Sequence, residues 1–273
     1  MLQADRSASD GNVALQAAAA AGWRDSGVLL LVVLSPIGLA AIAMAIGLAA
    51  RAAWQIGHGV SAALPAPASM RLYGLLSYAA GSWIAVALAW FWSRRQDMRR
   101  DVFIFRRLTW PALTVSTVGL VIVTFGVPIV THWLTHVLGR QGQEVRFDFF
   151  HDGHSVAIVV FLFVVTTPVS EEILYRGLLV AWLRRAGWRD VTILLVGSLI
   201  FAANHIVPTG VVWAAAMLVL GVTLFALRLR YQSLSPAWLA HALFNAQLTL
   251  FYPLIASLAP ALYPLIAWLA PAF

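Results

Sequence analysis

Several stretches of this chain run for about 18 or more residues with few charged side chains, long enough to cross a bilayer as helices. Hydrophobic residues make up 61% of the 273-residue chain, more than a soluble domain of this size needs. The runs are continuous rather than alternating, which argues against a β-barrel. The sequence therefore predicts an all-α fold, a polytopic transmembrane helical bundle of about eight spans.

The apolar runs and the loops between them divide the chain into four regions. Residues 1–26 are predicted to be a cytoplasmic N-terminal tail, and 27–154 to be N-terminal spans and loops. Residues 155–252 form the predicted catalytic transmembrane core, and 253–273 a Pro-rich hydrophobic C-terminal segment. The predicted spans are residues 28–50, 72–92, 110–138, 155–183, 191–205, 211–227, 234–252 and the last segment.

Arginines cluster in three loops, residues 93–107, 184–190 and 228–232, and give the chain much of its net charge of +7. Even numbers of spans separate these loops, so they fall on one side, which the positive-inside rule makes cytoplasmic together with the N-terminus. This charge pattern predicts membrane lipids as partners and no nucleic acid. The chain shows no evident organelle signal, so we expect a multi-pass protein of the bacterial plasma (inner) membrane.

Two of the three glutamates, Glu171 and Glu172, lie with Arg176 inside the fourth apolar run. An ionisable residue at bilayer depth costs on the order of 2.5–3.5 kcal/mol and is a functional-site hypothesis by default. Glu172 and Arg176 are four residues apart, so they share a helix face and are predicted to pair, whereas Glu171 points about 100° away. The alternative is a buried ion pair that only fixes helix packing.

Two further polar pairs lie inside spans, Phe201 with His205 and His241 with Asn245, each four residues apart. Alone, His205 could be a core histidine, His241 and Asn245 could join helices by hydrogen bonds, and Phe201 is expected to pack.

Glu171, His205 and His241 have similar predicted depths. At about 1.5 Å per residue, they lie roughly 16–22 Å from edge charges. The edge residues used are Arg184, Asp190 and Arg230. Three helices that line one intramembrane cavity would give this agreement.

The residue types at this depth suit hydrolysis. A glutamate withdrawn from water is a better base near neutral pH, and a histidine beside it can orient a water molecule. A second histidine and an asparagine can donate hydrogen bonds to the oxyanion that forms when water attacks an amide. The chain has no cysteine, which excludes a thiol nucleophile.

These motifs together resemble the CPBP family, the intramembrane proteases related to the CAAX prenyl endopeptidase and also called the Abi family. The resemblance covers about residues 155–250 and rests on three motifs in order, namely Glu171-Glu172 with Arg176, Phe201 with His205, and His241 with Asn245.

The resemblance implies a role for each motif residue. Glu171 would be the general base that activates water, assisted by His205, and His241 and Asn245 would form the oxyanion hole. Glu172 and Arg176 would hold the site together, with Glu172 sharing the catalytic load as a further option.

No cofactor is expected, although zinc is an open alternative. Glu171, His205 and His241 could bind a metal ion in principle. Asn245 beside His241 fits an oxyanion role better, and the chain has no HExxH motif. A second polar group could also bind a metal, although an ordinary polar loop explains it as well; its members are His132, His136, Asp148, His151, Asp152 and His154.

We therefore predict an intramembrane endopeptidase that hydrolyses a peptide bond in a membrane-tethered, membrane-associated or lipid-modified protein or peptide. One rival is a proton-coupled transporter in which Glu171, His205 and His241 relay protons. The other is a non-catalytic membrane scaffold or immunity protein that keeps the same fold.

Overall fold

The computed structural model describes residues 27, 33, 35–61, 64–65, 67–139, 156–252 and 254. Within these ranges the chain is helical and contains no β-strand, which confirms the predicted all-α membrane bundle. In chain order the helices are α1 Ser35–Gly57, α2 Pro67–Arg95, α3 Arg99–Val102, α4 Trp110–Leu138, α5 Ala157–Arg185, α6 Asp190–Ala203, α7 Ile206–Tyr231 and α8 Ser235–Ala246.

Five of the described helices (α1, α2, α4, α5 and α7) are long and apolar enough to cross a membrane. Helices α6 and α8 are shorter, at 14 and 12 residues, although α8 continues into a π-helical turn at Gln247–Phe251. The predicted tail, 1–26, lies outside the described residues, as does the predicted last segment, 253–273, apart from residue 254. The four predicted regions stay predictions.

Helix α1 continues beyond the predicted end of the first span at residue 50. It runs through Arg51 to Gly57, because the alanines and Trp54 that follow Arg51 favour a helix. The chain then leaves the helix at Gly59, whose φ of 71° is a conformation that glycine adopts readily. The connection to α2 is therefore shorter than the sequence predicts.

The three arginine-bearing loops meet at one end of the bundle. Arg184, at the end of α5, pairs with Asp190 at 3.0 Å and donates to Gln232, just after α7. The neighbouring Arg185 donates to the backbone carbonyl of Gln96, just after α2. The loops thus share one side, as predicted, and the assignment of that side to the cytoplasm stays a prediction.

Glycines allow α4, α6 and α7 to approach closely. A Cβ atom on Gly119 or Gly126 of α4 would lie 2.8 Å from the side chain of Thr223 or Val219 on α7. A Cβ on Gly197 of α6 would lie 2.4 Å from the Phe225 ring. Association of helices in lipid depends on such close packing, since lipid and helix surfaces are equally apolar. Helices α5 and α8 pack against the group formed by α4, α6 and α7.

A third close approach joins α5 to α3. A Cβ on Gly177 would lie 2.3 Å from the carbonyl oxygen of Val102, so only glycine fits at this crossing. Arg228 of α7 fastens the same junction, because its Nε donates to the Arg176 carbonyl at 2.9 Å and its Nη2 to the Asp101 carbonyl at 3.3 Å.

We expect Gly177→Ala to destabilise the fold by about 1–3 kcal/mol, because the added methyl group must displace the α3 backbone. Thermal unfolding in detergent measures the effect. The matched control is Gly47→Ala on α1, where a Cβ meets no atom within 4 Å, and we expect it to be neutral or slightly stabilising. Equal melting temperatures for both variants would contradict this account of the α3 contact.

Candidate active site

The central helix α5 is not a regular α-helix. It is π-helical at Val160–Thr166 and again at Glu172–Leu179, with an α-helical turn at Thr167–Glu171 between these stretches. The N–H of Thr167 donates to the carbonyl of Leu162, five residues back. The next donor in this series would be Pro168, which has no N–H, so the Phe163 carbonyl needs a partner from outside the helix. π-Helical turns of this kind are frequent at functional sites.

Glu172 is a fully buried carboxylate that joins two helices. Its Oε1 accepts from Arg176 Nη1 at 3.3 Å, the pairing that the four-residue spacing predicts. The same oxygen lies 2.9 Å from Nδ1 of His241 on α8. With Glu172 as a carboxylate, which only accepts hydrogen bonds, Nδ1 of His241 is the donor in this contact.

Glu171 has one carboxylate oxygen bonded and the other turned towards His241. Oε1 accepts from the Tyr78 hydroxyl of α2 at 2.7 Å. Oε2 lies 3.8 Å from His241 Nε2, beyond hydrogen-bond distance, and has no hydrogen-bond partner among the described residues. His241 therefore stands between the two carboxylates, although the sequence predicts that they point about 100° apart.

His205 presents one ring nitrogen to the site. Its Nδ1 lies 2.9 Å from the Phe201 carbonyl oxygen. A carbonyl oxygen only accepts, so Nδ1 donates and Nε2 of the neutral ring is left as an acceptor. That assignment suits a group that orients a water molecule or takes a proton.

Phe201 is fully buried and packs between the charged and imidazole groups. The guanidinium of Arg176 lies 4.2 Å from its ring centre and 4.5 Å from that of Phe225, so the cation is enclosed by two aromatic faces. The rings of His205 and His241 lie 4.8 and 6.1 Å from the Phe201 ring. Phe201 therefore packs, as predicted, and its packing fixes where both histidines stand.

Asn245 connects α8 to the π-helical stretch of α5. Its Nδ2 donates to the Phe163 carbonyl at 2.9 Å, which supplies the donor that Pro168 lacks. An amide nitrogen has two hydrogens, so one N–H of Asn245 is left for another acceptor.

A cavity of about 440 Å³ adjoins these groups. Glu171, His205, His241 and Asn245 line it. The rest of its wall is mainly apolar and comes from α1, α2, α5, α7 and α8; examples are Ile37, Met44, Leu75, Phe163, Trp213 and Phe244. A largely apolar pocket with a few convergent polar groups is typical of a ligand or substrate site.

The structure thus brings all the predicted site residues to one place. Contacts of 3.8, 2.9 and 3.3 Å join Glu171 to His241, His241 to Glu172 and Glu172 to Arg176. His205 and Asn245 line the cavity that Glu171 and His241 also line. Their roles stay predictions. The sequence did not predict Tyr78 as a site residue. It lies 16 residues before Arg94 and so about 24 Å from the arginine-rich end, outside the range of roughly 16–22 Å for the predicted site residues, so its depth does not single it out.

The zinc alternative for Glu171, His205 and His241 stays a prediction, because a hydrogen bond at Nδ1 leaves Nε2 of each histidine ring free to coordinate. Nδ1 of His205 is bonded to a carbonyl and Nδ1 of His241 to Glu172. In the part of the chain that the structure describes, no three His, Asp or Glu side chains converge as metal ligands. The second histidine group is described only at His132 and His136, and the rest of it lies outside the described residues.

A comparison with protein-family models matches residues 153–247 to the model described as Rce1-like, type II CAAX prenyl endopeptidase. The matched segment contains the three motifs, which confirms the resemblance to the CPBP family over this part of the chain. Residues 153–247 are therefore similar to a membrane protease family, and with its five long apolar helices the chain is a multi-pass integral membrane protein. No curated protein and no solved structure matched the chain.

We expect Arg176→Met to destabilise the protein by about 3–5 kcal/mol, because it leaves the Glu172 carboxylate buried with its charge less compensated. Equilibrium unfolding in mixed micelles measures this. Glu172→Gln in the same chain removes the uncompensated charge, so the double variant should lose less stability than the sum of the single variants. Strict additivity would show that the pair has no energetic coupling.

Proposed function

Because residues 153–247 match the Rce1-like, type II CAAX prenyl endopeptidase model, we propose that this protein is a glutamate-type intramembrane endopeptidase. The observation that carries the proposal is the unbonded Oε2 of Glu171, buried beside His241 at the wall of a cavity. A carboxylate oxygen without a hydrogen bond, on a residue that lines a cavity, is suited to take a proton from water. Glu172 Oε2 also has no hydrogen-bond partner among the described residues, but Glu172 does not line the cavity.

The first proposed step is attack by water on the peptide carbonyl. A water molecule hydrogen-bonds to Glu171 Oε2 and to the acceptor Nε2 of His205, both at the cavity. Glu171 removes one proton as the water oxygen bonds to the carbonyl carbon. The proton then passes from Glu171 to the amine that leaves, so no covalent enzyme intermediate forms.

The second proposed element is stabilisation of the oxyanion. His241 would donate to the oxyanion from Nε2, with both ring nitrogens carrying a proton and Nδ1–H bonded to Glu172. The remaining N–H of Asn245 is the second donor. Glu172 and Arg176 act on this step indirectly, since they fix the position and protonation of the His241 ring.

The proposed substrate is a peptide segment of a membrane-associated or lipid-modified protein. The mainly apolar wall of the cavity favours an apolar side chain or lipid chain next to the scissile bond. The predicted depth of Glu171 supports a reaction inside the bilayer. We further propose that the arginine-rich end and the N-terminus face the cytoplasm of a bacterial cell, whose inner-membrane lipids surround the protein.

We expect Glu171→Gln to lower kcat by about 10²–10⁴-fold, because glutamine keeps the acceptor for Tyr78 but cannot take a proton from water. A panel of quenched lipopeptides, incubated with purified protein in detergent with and without a strong chelator, measures cleavage. Asp97→Asn is the matched control, an acid-to-amide change on an exposed turn away from the cavity, and should cleave like wild type.

The outcomes of this assay distinguish the proposed glutamate mechanism from a metal mechanism, a transporter and a scaffold. Wild-type cleavage that survives the chelator and is lost in Glu171→Gln supports the proposed mechanism. Loss on chelation with recovery on adding zinc would replace it by a metal mechanism. If the wild type cleaves no peptide, proton-driven flux in liposomes would indicate a transporter, and an unchanged cellular phenotype of Glu171→Gln would indicate a scaffold.

We expect Asn245→Ala to lower kcat by about 10²–10³-fold with a small change in KM, the effect of losing one oxyanion donor. Gln247→Ala is the matched control, because this amide lies two residues away, bonds Thr124 and does not line the cavity. Parallel losses in both variants would point to damage to α8 rather than to a role in the oxyanion hole.

A further inference from the structure

We propose that Tyr78 of α2 is a positioning residue for the general base, and that the catalytic site therefore extends beyond the family-matched domain. The inference rests on the proposed function of Glu171. It is carried by one short contact between distant parts of the chain, since Tyr78 Oη donates to Glu171 Oε1 at 2.7 Å across 93 residues.

The hydrogen bond from Tyr78 gives the two carboxylate oxygens of Glu171 different roles. With Oε1 bonded by the phenol, rotation of the carboxylate is restrained, and Oε2 of this cavity-lining residue has no hydrogen-bond partner among the described residues. A base that is already oriented needs less reorganisation before it accepts a proton, and small errors in position lower rates strongly. No other described side chain hydrogen-bonds Glu171, so Tyr78 alone provides this restraint within the described ranges.

Helix α2 is held in place by close packing near Tyr78. Three residues on, Gly81 meets α1 so closely that a Cβ would lie 2.7 Å from Ala40 N and 2.8 Å from the Pro36 carbonyl oxygen. Helix α2 also packs on α5. The phenol therefore belongs to a helix that packs closely on both α1 and α5, as a positioning role requires.

Removal of the hydrogen bond from Tyr78 to Glu171 should change the pH dependence of activity in a predictable direction. A hydrogen bond to an ionised carboxylate stabilises the ionised form, so we expect its loss to move the acid limb of the pH–rate profile to higher pH. The other groups that act on Glu171 are unchanged in the variant; they are Tyr175 and Arg176 on α5, His205 beside α6 and His241 on α8.

The test compares Tyr78→Phe with the wild type in the lipopeptide assay. We expect kcat to fall about 10-fold to 100-fold, the range for a hydrogen bond to a charged group, with KM within about twofold. The acid limb of the pH–kcat profile should move to higher pH. Tyr73→Phe on the same helix removes the same hydroxyl without contacting the carboxylates, and should change neither quantity.

A second measurement does not need turnover. Infrared difference spectra between each protein and its Glu171→Gln form isolate the carbonyl stretch of protonated Glu171 as pH is lowered. In Tyr78→Phe this band should appear at higher pH than in the wild type. A merely structural role for Tyr78 would lower stability without moving the band or the acid limb.

The two proposals fail in different ways. A wild type that cleaves, with a Tyr78→Phe variant whose kcat, pH profile and infrared band match it, would overturn the role of Tyr78 and leave the proposed function intact. A wild type that cleaves nothing would overturn both the function and the catalytic part of this inference. A shifted infrared band in that case would still establish the hydrogen bond.

Discussion

The burial of two carboxylates inside a bilayer is the constraint on which the rest of this structure depends. Even a paired ion in an apolar interior costs several kcal/mol to desolvate, so each charge must be met by fixed partners. Glu172 is met by Arg176 and His241, and Glu171 by Tyr78. Those partners come from α5, α8 and α2, so satisfying the charges also fixes three helices relative to one another.

The irregular winding of α5 provides the other attachment points. A π-helical stretch with a proline behind it leaves a backbone carbonyl for an outside donor, and Asn245 of α8 bonds the one at Phe163. In the second stretch the Arg176 carbonyl accepts from Arg228 of α7. Neighbouring helices therefore dock on α5 through polar contacts, and an amide that is attached in this way is also oriented for chemistry.

The sequence was sufficient for the spans and for the motif residues, because apolar length and charge at depth follow directly from the cost of placing groups in lipid. It did not predict the π-helical winding of α5 or that His241 reaches both carboxylates, because these depend on how α8 packs on α5. It missed Tyr78, because a tyrosine in a span is usually an interface residue and only the distant Glu171 gives it another meaning. The end of α1 was set too early because the alanine-rich extension carries an arginine.

Helix α6 has 14 residues and so measures about 21 Å, while the hydrocarbon core of a typical bilayer is about 30 Å thick. The turn after it carries Asn204 and His205, and these residues and Thr209 of α7 lie on the wall of the cavity. A hydrophobic length this short is accommodated by local thinning of the membrane. Thinning at this turn would bring bulk solvent nearer to the scissile bond, so the lipid chain length of the host membrane becomes a determinant of how readily hydrolytic water is replenished.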